Sequence, residues 1–142
     1  MRLPLGPLLV LLLAVAHAPS AQAQQTRDRW RIGDDLVGTR WQARSIKGVP
    51  VADPSRATLE FLPGDHVRGQ AGCNRYVGPF ATRSDRITLG PLRLSRLDCD
   101  DQTSLAKELI TELQRANRVL LSPERLELQP STGPASVFLA SP

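Results

Sequence analysis

From Leu36 to the C-terminus the chain runs mostly in short period-two stretches separated by turn residues, and this rhythm restricts it to a mainly β, antiparallel fold. "TRWQARSI" alternates Trp41, Ala43 and Ser45 against Gln42 and Arg44. "ATLEFLPGDHVRGQAG" reads as a hairpin: Leu59 and Phe61 face one way, Pro63 and Gly64 are the residues a type II turn wants, and Val67, Gly69 and Ala71 resume the alternation. "GPFAT", "RITLGPL" and "LRLSRL" follow, with a turn around Ser84 and Asp85. Their phase slips between Leu94 and Leu97, which predicts a bulge or a strand end. "RVLLS", "RLELQ" and "ASVFLA" are later strands, divided by Ser122-Pro123 and by a loop over residues 130–134.

The period changes once. In "DDQTSLAKELITELQRANR", Leu105, Leu109 and Leu113 recur every four residues, Ala106, Ile110 and Ala116 widen the stripe, and charges take the other face. This is a helix that lies with its leucines on the sheet. Asp100 or Asp101 suits its first turn as a cap, and Arg115 and Arg118 suit its negative end.

The first residues, "MRLPLGPLLVLLLAVAHAPSAQAQQ", carry one charge at Arg2, an apolar run and a small-x-small site at Ala21-Gln22-Ala23. Residues 1–23 are therefore expected to be a cleaved secretory signal peptide. The run is broken by Pro4, Pro7, His17 and Pro19, too short for the roughly 20 apolar residues of a membrane span. No cysteine follows the cleavage site, so no lipid anchor is expected, and the location implied is the periplasm. Residues 24–35 read as a polar linker in which Trp30 and Ile32 could add an edge strand. What remains is of single-domain size.

The formal net charge of +4 is carried by arginines scattered over strands and turns, with few aromatics for base stacking. Nucleic acid is not expected as a partner. Solvated faces touching an anionic envelope surface fit better.

Both cysteines, Cys73 and Cys99, lie in the exported part. An even count in an oxidising compartment makes a disulfide the default, contributing roughly 3 kcal/mol, with two buried thiols as the alternative. Beyond the signal peptide the chain has only His66 and no CxxC pair, so no metal site is expected. A Cys73–His66 dyad would need hydrogen-bond contact, yet His66 sits at the far end of the strand leading to Cys73. Asp98, Asp100 and Asp101 form an acidic cluster whose place at a helix start gives it a capping role. No catalytic residue, cofactor or metal ligand is therefore expected. Asn74 suits a tight turn, and Gly72 and Gly78 permit close backbone approach.

Taken together, Trp41, "GVPV" at 48–51, "TLEF" at 58–61, "VRGQAGCNRYVGPF" at 67–80, "ITLGPL" at 87–92, Cys99 before a helix and "RLEL" before a last apolar strand resemble the META domain, the family that includes the HslJ heat-shock protein. The matching motif residues are Gly72, Cys73, Asn74, Arg75 and Gly78, and the domain would span residues 36–141. The family usually has a threonine and a methionine-alanine pair before the second cysteine; here Ser95, Leu97 and Asp98 stand in that stretch. The resemblance implies a small antiparallel β-barrel-like sheet of about eight strands with one α-helix packed on it, exported, linked to heat or drug stress tolerance, and without an established catalytic activity. The expected function is a monomeric, non-enzymatic envelope module acting through contacts with a protein or envelope-surface partner. A barrel that binds a small ligand is the alternative, and inhibition of an envelope protease a third.

Overall fold

The computed structural model describes residues 32–96 and 103–142. Helix α1 (Ile32–Leu36) leads into strands β1 (Arg40–Ile46), β2 (Val49–Pro50), β3 (Thr58–Leu62), β4 (His66–Ala71), β5 (Asn74–Arg83), β6 (Arg86–Leu89) and β7 (Arg93–Leu94). Helix α2 (Thr103–Arg115) then precedes β8 (Ala116–Leu121), β9 (Arg125–Pro130) and β10 (Ser136–Ala140). Eight of these strands close on themselves in the order β1, β3, β4, β5, β6, β8, β9, β10 and back to β1, every pairing antiparallel. Strands β2 and β7 are side additions to β1 and β5.

Closure follows from alternation. Each barrel strand turns apolar residues inward, among them Trp41 and Ala43, Leu59 and Phe61, Val67 and Ala71, Tyr76 and Phe80, Ile87 and Leu89, Leu126 and Leu128, and Phe138. They meet in one continuous core, the filled interior that eight strands can just enclose. Phe61 and Phe80 pack edge to face with centroids 5.1 Å apart. The last strand closes on the first: Trp41 pairs with Ala140 and Ala43 with Phe138, and Ser141 N–H donates to Arg40 O at 2.8 Å.

Helix α2 buries Ala106, Leu109 and Leu113 and leaves Leu105 and Ile110 partly covered. It touches β1, β4, β6 and β9, strands on different sides of the barrel, so it lies across one end as a plug. It is also the crossover from β6 to β8, whose pairing is confined to Arg86 with Arg118 and a bond from Val119 N–H to Asp85 O.

Several sequence expectations need correction. The alternation of β1 slips between Ala43 and Ser45, where the register with β10 shifts, so that Ile46 rather than Ser45 continues the buried face. Ile32 begins a helix instead of an edge strand, and Leu36 at its end is wholly buried. Helix α2 stops at Arg115, and Ala116 already opens β8 by pairing with Pro130. Arg118 therefore cannot serve the helix end; it pairs instead with Asp85 at 2.9 Å. The strand end expected after Leu94 is present. Trp30, the signal peptide and the proposed caps Asp100 and Asp101 lie outside the described residues. Among the described residues no helix is long and apolar enough to cross a membrane.

Candidate functional site

The motif singled out in the sequence forms a corner. Gly72 and Cys73 are the two-residue loop of the β4–β5 hairpin, with Ala71 paired to Asn74 across it. Gly72 has φ 65°, a left-handed value that glycine adopts without penalty and that suits the first central position of a type II′ turn. Its N–H donates to Arg56 O at 2.8 Å, and its carbonyl accepts from Gln70 Nε2 at 3.0 Å. Asn74 is buried, and its Oδ1 accepts a bond from Ser95 Oγ at 3.2 Å. The same Ser95 oxygen accepts Arg75 N–H at 2.9 Å, while Ser95 N–H donates to Arg75 O at 2.8 Å. Asn74 and Ser95 thus fasten the segment beyond β7 onto β5.

Gly78 is needed for room: a Cβ there would stand 2.6 Å from Pro91 O and 2.8 Å from Leu92 Cδ2. Cys73 is not a free thiol, and Cys99 lies outside the described residues, as do Asp98, Asp100 and Asp101. His66 is exposed at the opposite end of the hairpin from Cys73, its Nδ1 2.5 Å from Gly64 O.

Of the motif residues only Arg75 turns a functional side chain outward, and it does not stand alone. The outward residues Arg40, Glu60, Arg68, Val77 and Arg93 are successive cross-strand partners over β1, β3, β4, β5 and β7. Arg75 lies in the next row, paired with Gln70. Glu60 is shared: Arg40 Nε donates to Oε1 at 3.1 Å, and Arg68 Nε donates to Oε2 at 2.7 Å. The Arg68 hydrogen bond, assisted by Arg40, holds the Glu60 carboxyl below its usual range. Glu60, Arg68, Arg75, Val77, Arg93 and Leu94 help line an outer groove of about 670 Å³.

Beneath the groove, Tyr76 faces its cross-strand partner Gly69. The phenol passes over the glycine and donates to Thr58 O at 2.5 Å. Burial pushes its pKa far above the usual tyrosine value. A Cβ on Gly69 would meet Thr58 O at 2.0 Å and Tyr76 Oη at 2.5 Å. Gly69 and Tyr76 therefore form one unit that flattens the wall between β3 and β5.

The arginines are thus less scattered than the linear sequence suggests. Arg40, Arg68 and Arg93 share one row and Arg75 flanks it, a grouping that needs the register of five strands to see. The available signal was that all four occupy outward phases of their alternations.

Comparison with known proteins follows the same outline. The META domain model matches residues 34–142. A protein from Burkholderia xenovorans solved by NMR is similar over 95% of this chain and 98% of its own, at 23% identity and a TM-score of 0.62. Another NMR structure matches 75% of this chain and 92% of its own at 21% identity and TM-score 0.60. A DUF4847 family protein from Bacteroides vulgatus is 13% identical, covers 77% of this chain and 96% of its own, and gives a TM-score of 0.57. At these identities the likeness concerns the fold. Among curated proteins no match is found.

Proposed function

Because this chain belongs to the META domain family, we propose that it is an exported, non-enzymatic module of the cell envelope that supports stress tolerance through contacts made by the outer face of its barrel. The observation that carries the reading is the contrast between the two sides of the wall. The inside is occupied by the chain's own side chains and plugged by α2, whereas the outside of β3, β4, β5 and β7 offers an open groove lined by charged groups. A core filled in this way favours the outer face over the small-ligand alternative, which needs space inside the barrel. A thiol enzyme is disfavoured because His66 and Cys73 sit at opposite ends of one hairpin.

Export rests on the signal peptide expected over residues 1–23, and the periplasm is the location it implies. There the reading pairs Cys73 with Cys99, joining the β4–β5 turn to the approach to α2, a link that would stabilise the fold by about 3 kcal/mol. Mass spectrometry of the protein from its envelope fraction, with free thiols alkylated, should find a chain starting at Gln24, two hydrogens light and unalkylated. An alkylated Cys73 refutes the bridge.

The test of function is complementation of a deletion strain under heat and envelope-active drugs. The full-length gene should restore growth. A gene lacking codons 2–23 and one carrying Arg68→Glu with Arg93→Glu should not. Rescue by the leaderless gene would refute export, and rescue by the charge-reversed one would refute action through this face.

A further inference from the structure

The grouping of positive charge on the outer wall carries more than a general contact surface. Val77 is 47% exposed and lies between Arg68 on β4 and Arg93 on β7, its direct partners across the sheet. Neighbouring strands are about 4.8 Å apart. Arg75, two residues along β5 on the same face, is the diagonal neighbour of both, at roughly 7–8 Å. Three guanidinium groups on flexible stems can therefore reach one point above Val77.

Their internal compensation is small. The one carboxylate in the group, Glu60, is already bound by Arg40 and Arg68. Arg75 and Arg93 make no side-chain ion pair or hydrogen bond with any described residue. Like charges facing one another on a sheet repel, and no described residue neutralises Arg75 or Arg93. An external anion does so.

We infer that this face binds a phosphomonoester, with Arg75 and Arg93 holding the phosphate, Arg68 at its edge, and Val77 and Leu94 against the carbon part of the ester. A phosphomonoester matches on three counts. It carries close to two negative charges on a single centre, where an acidic peptide spreads single charges along a line. Its three terminal oxygens accept paired N–H groups from more than one guanidinium. Its carbon substituent has an apolar surface to rest on, and the groove volume of about 670 Å³ lies within the range of small-molecule sites. The inference rests on the outer-face reading of the function. The phosphate can come from a soluble metabolite or from a lipid headgroup, since the chemistry at the arginines is the same.

The experiment is a titration of the isotope-labelled protein with glycerol 3-phosphate, followed by amide and arginine side-chain NMR. In parallel, sedimentation uses phosphatidylcholine vesicles containing phosphatidic acid, a monoester, or phosphatidylglycerol, a diester. Saturable shifts centred on Arg75, Val77 and Arg93 are expected, with at least tenfold weaker binding in Arg75→Gln and in Arg93→Gln. Arg125→Gln, on the distant strand β9, should bind as the parent does, and thermal melts should show all three variants folded. Binding to glycerol 3-phosphate alone assigns a soluble ligand, and binding only to phosphatidic acid vesicles assigns a lipid; either supports the site. The inference is overturned by shifts that never saturate, by an Arg125→Gln loss as large as the others, by equal sedimentation with both anionic lipids, or by equal competition from polyglutamate. Such a failure leaves the complementation result untouched, so the broader reading stands or falls separately.

Discussion

Replacing Gly69 by alanine puts a methyl group where the structure has a carbonyl and a phenol. The new Cβ would lie 2.0 Å from Thr58 O and 2.5 Å from Tyr76 Oη, so β3 and β4 must separate or Tyr76 must withdraw. Overpacking of this kind costs about 1–3 kcal/mol. Breaking the Tyr76–Thr58 hydrogen bond inside the wall adds about 1–3 kcal/mol, because the hydroxyl is buried. The total, about 2–6 kcal/mol, should lower the melting temperature by about 8 °C or more in a domain of this size. Gly69 has no left-handed φ, so the cost is steric rather than conformational. Gly133 is the control: its φ is 99° and nothing lies within 4 Å, so alanine there should cost only about 1–2 kcal/mol of backbone strain. A Tyr76→Phe background has already lost the hydrogen bond to Thr58 O, so Gly69→Ala should cost about 1–2 kcal/mol less there, while the ring Cζ, 2.6 Å from the new Cβ, still has to move. Thermal melts by circular dichroism on the four combinations decide the matter. A Gly69→Ala protein that loses less than about 4 °C, under 1 kcal/mol, would refute the claim that this glycine is held by close approach.

Tyr76 is the only tyrosine, so the tyrosinate absorbance of the whole protein reports on it alone. Burial raises its pKa above the unfolded value near 10, which means stability is intact below that pH and declines above it. Tyrosinate should appear together with unfolding in an alkaline titration; ionisation while the circular dichroism remains native would contradict the burial. Leu109→Ala, at a wholly buried position on α2, should cost about 2–5 kcal/mol in denaturant unfolding, whereas a loss below 1 kcal/mol would mean the helix does not plug the barrel. Ser95→Ala removes the shared oxygen between Asn74 and Arg75 and should cost about 1 kcal/mol, with faster hydrogen exchange at the Arg75 amide. Arg68→Gln should raise the Glu60 carboxyl pKa toward its ordinary value, read by carbon NMR; an unmoved titration would show that the Arg68 bond is not its main support.

The strands were legible because burial and alternation coincide: Leu59, Phe61, Val67 and Ala71 are read as one face and form one face. The helix was legible for the same reason at its own period. Misreadings fell where a local rule met a tertiary one. The bulge in β1 depends on how β10 closes the barrel, and the helix yields Ala116 to β8 because Pro130 waits as a strand partner. The arginine face was hidden because Arg40 and Glu60 are twenty positions apart, and only register makes them neighbours. Gly69 gave no signal of its own, since its role is set by a tyrosine on the next strand.

The pairing of β1 with β10 also bears on when the protein can acquire its structure. Barrel closure requires residues 136–140 to meet a strand that begins at Arg40. Contacts so distant along the chain are slow to form and cannot be replaced by local ones. Until β10 has been made, the chain can build its central hairpins but not the ring. A ring that only β10 completes stays open without it, and a truncation before Ser136 should leave an open sheet with two bare edges.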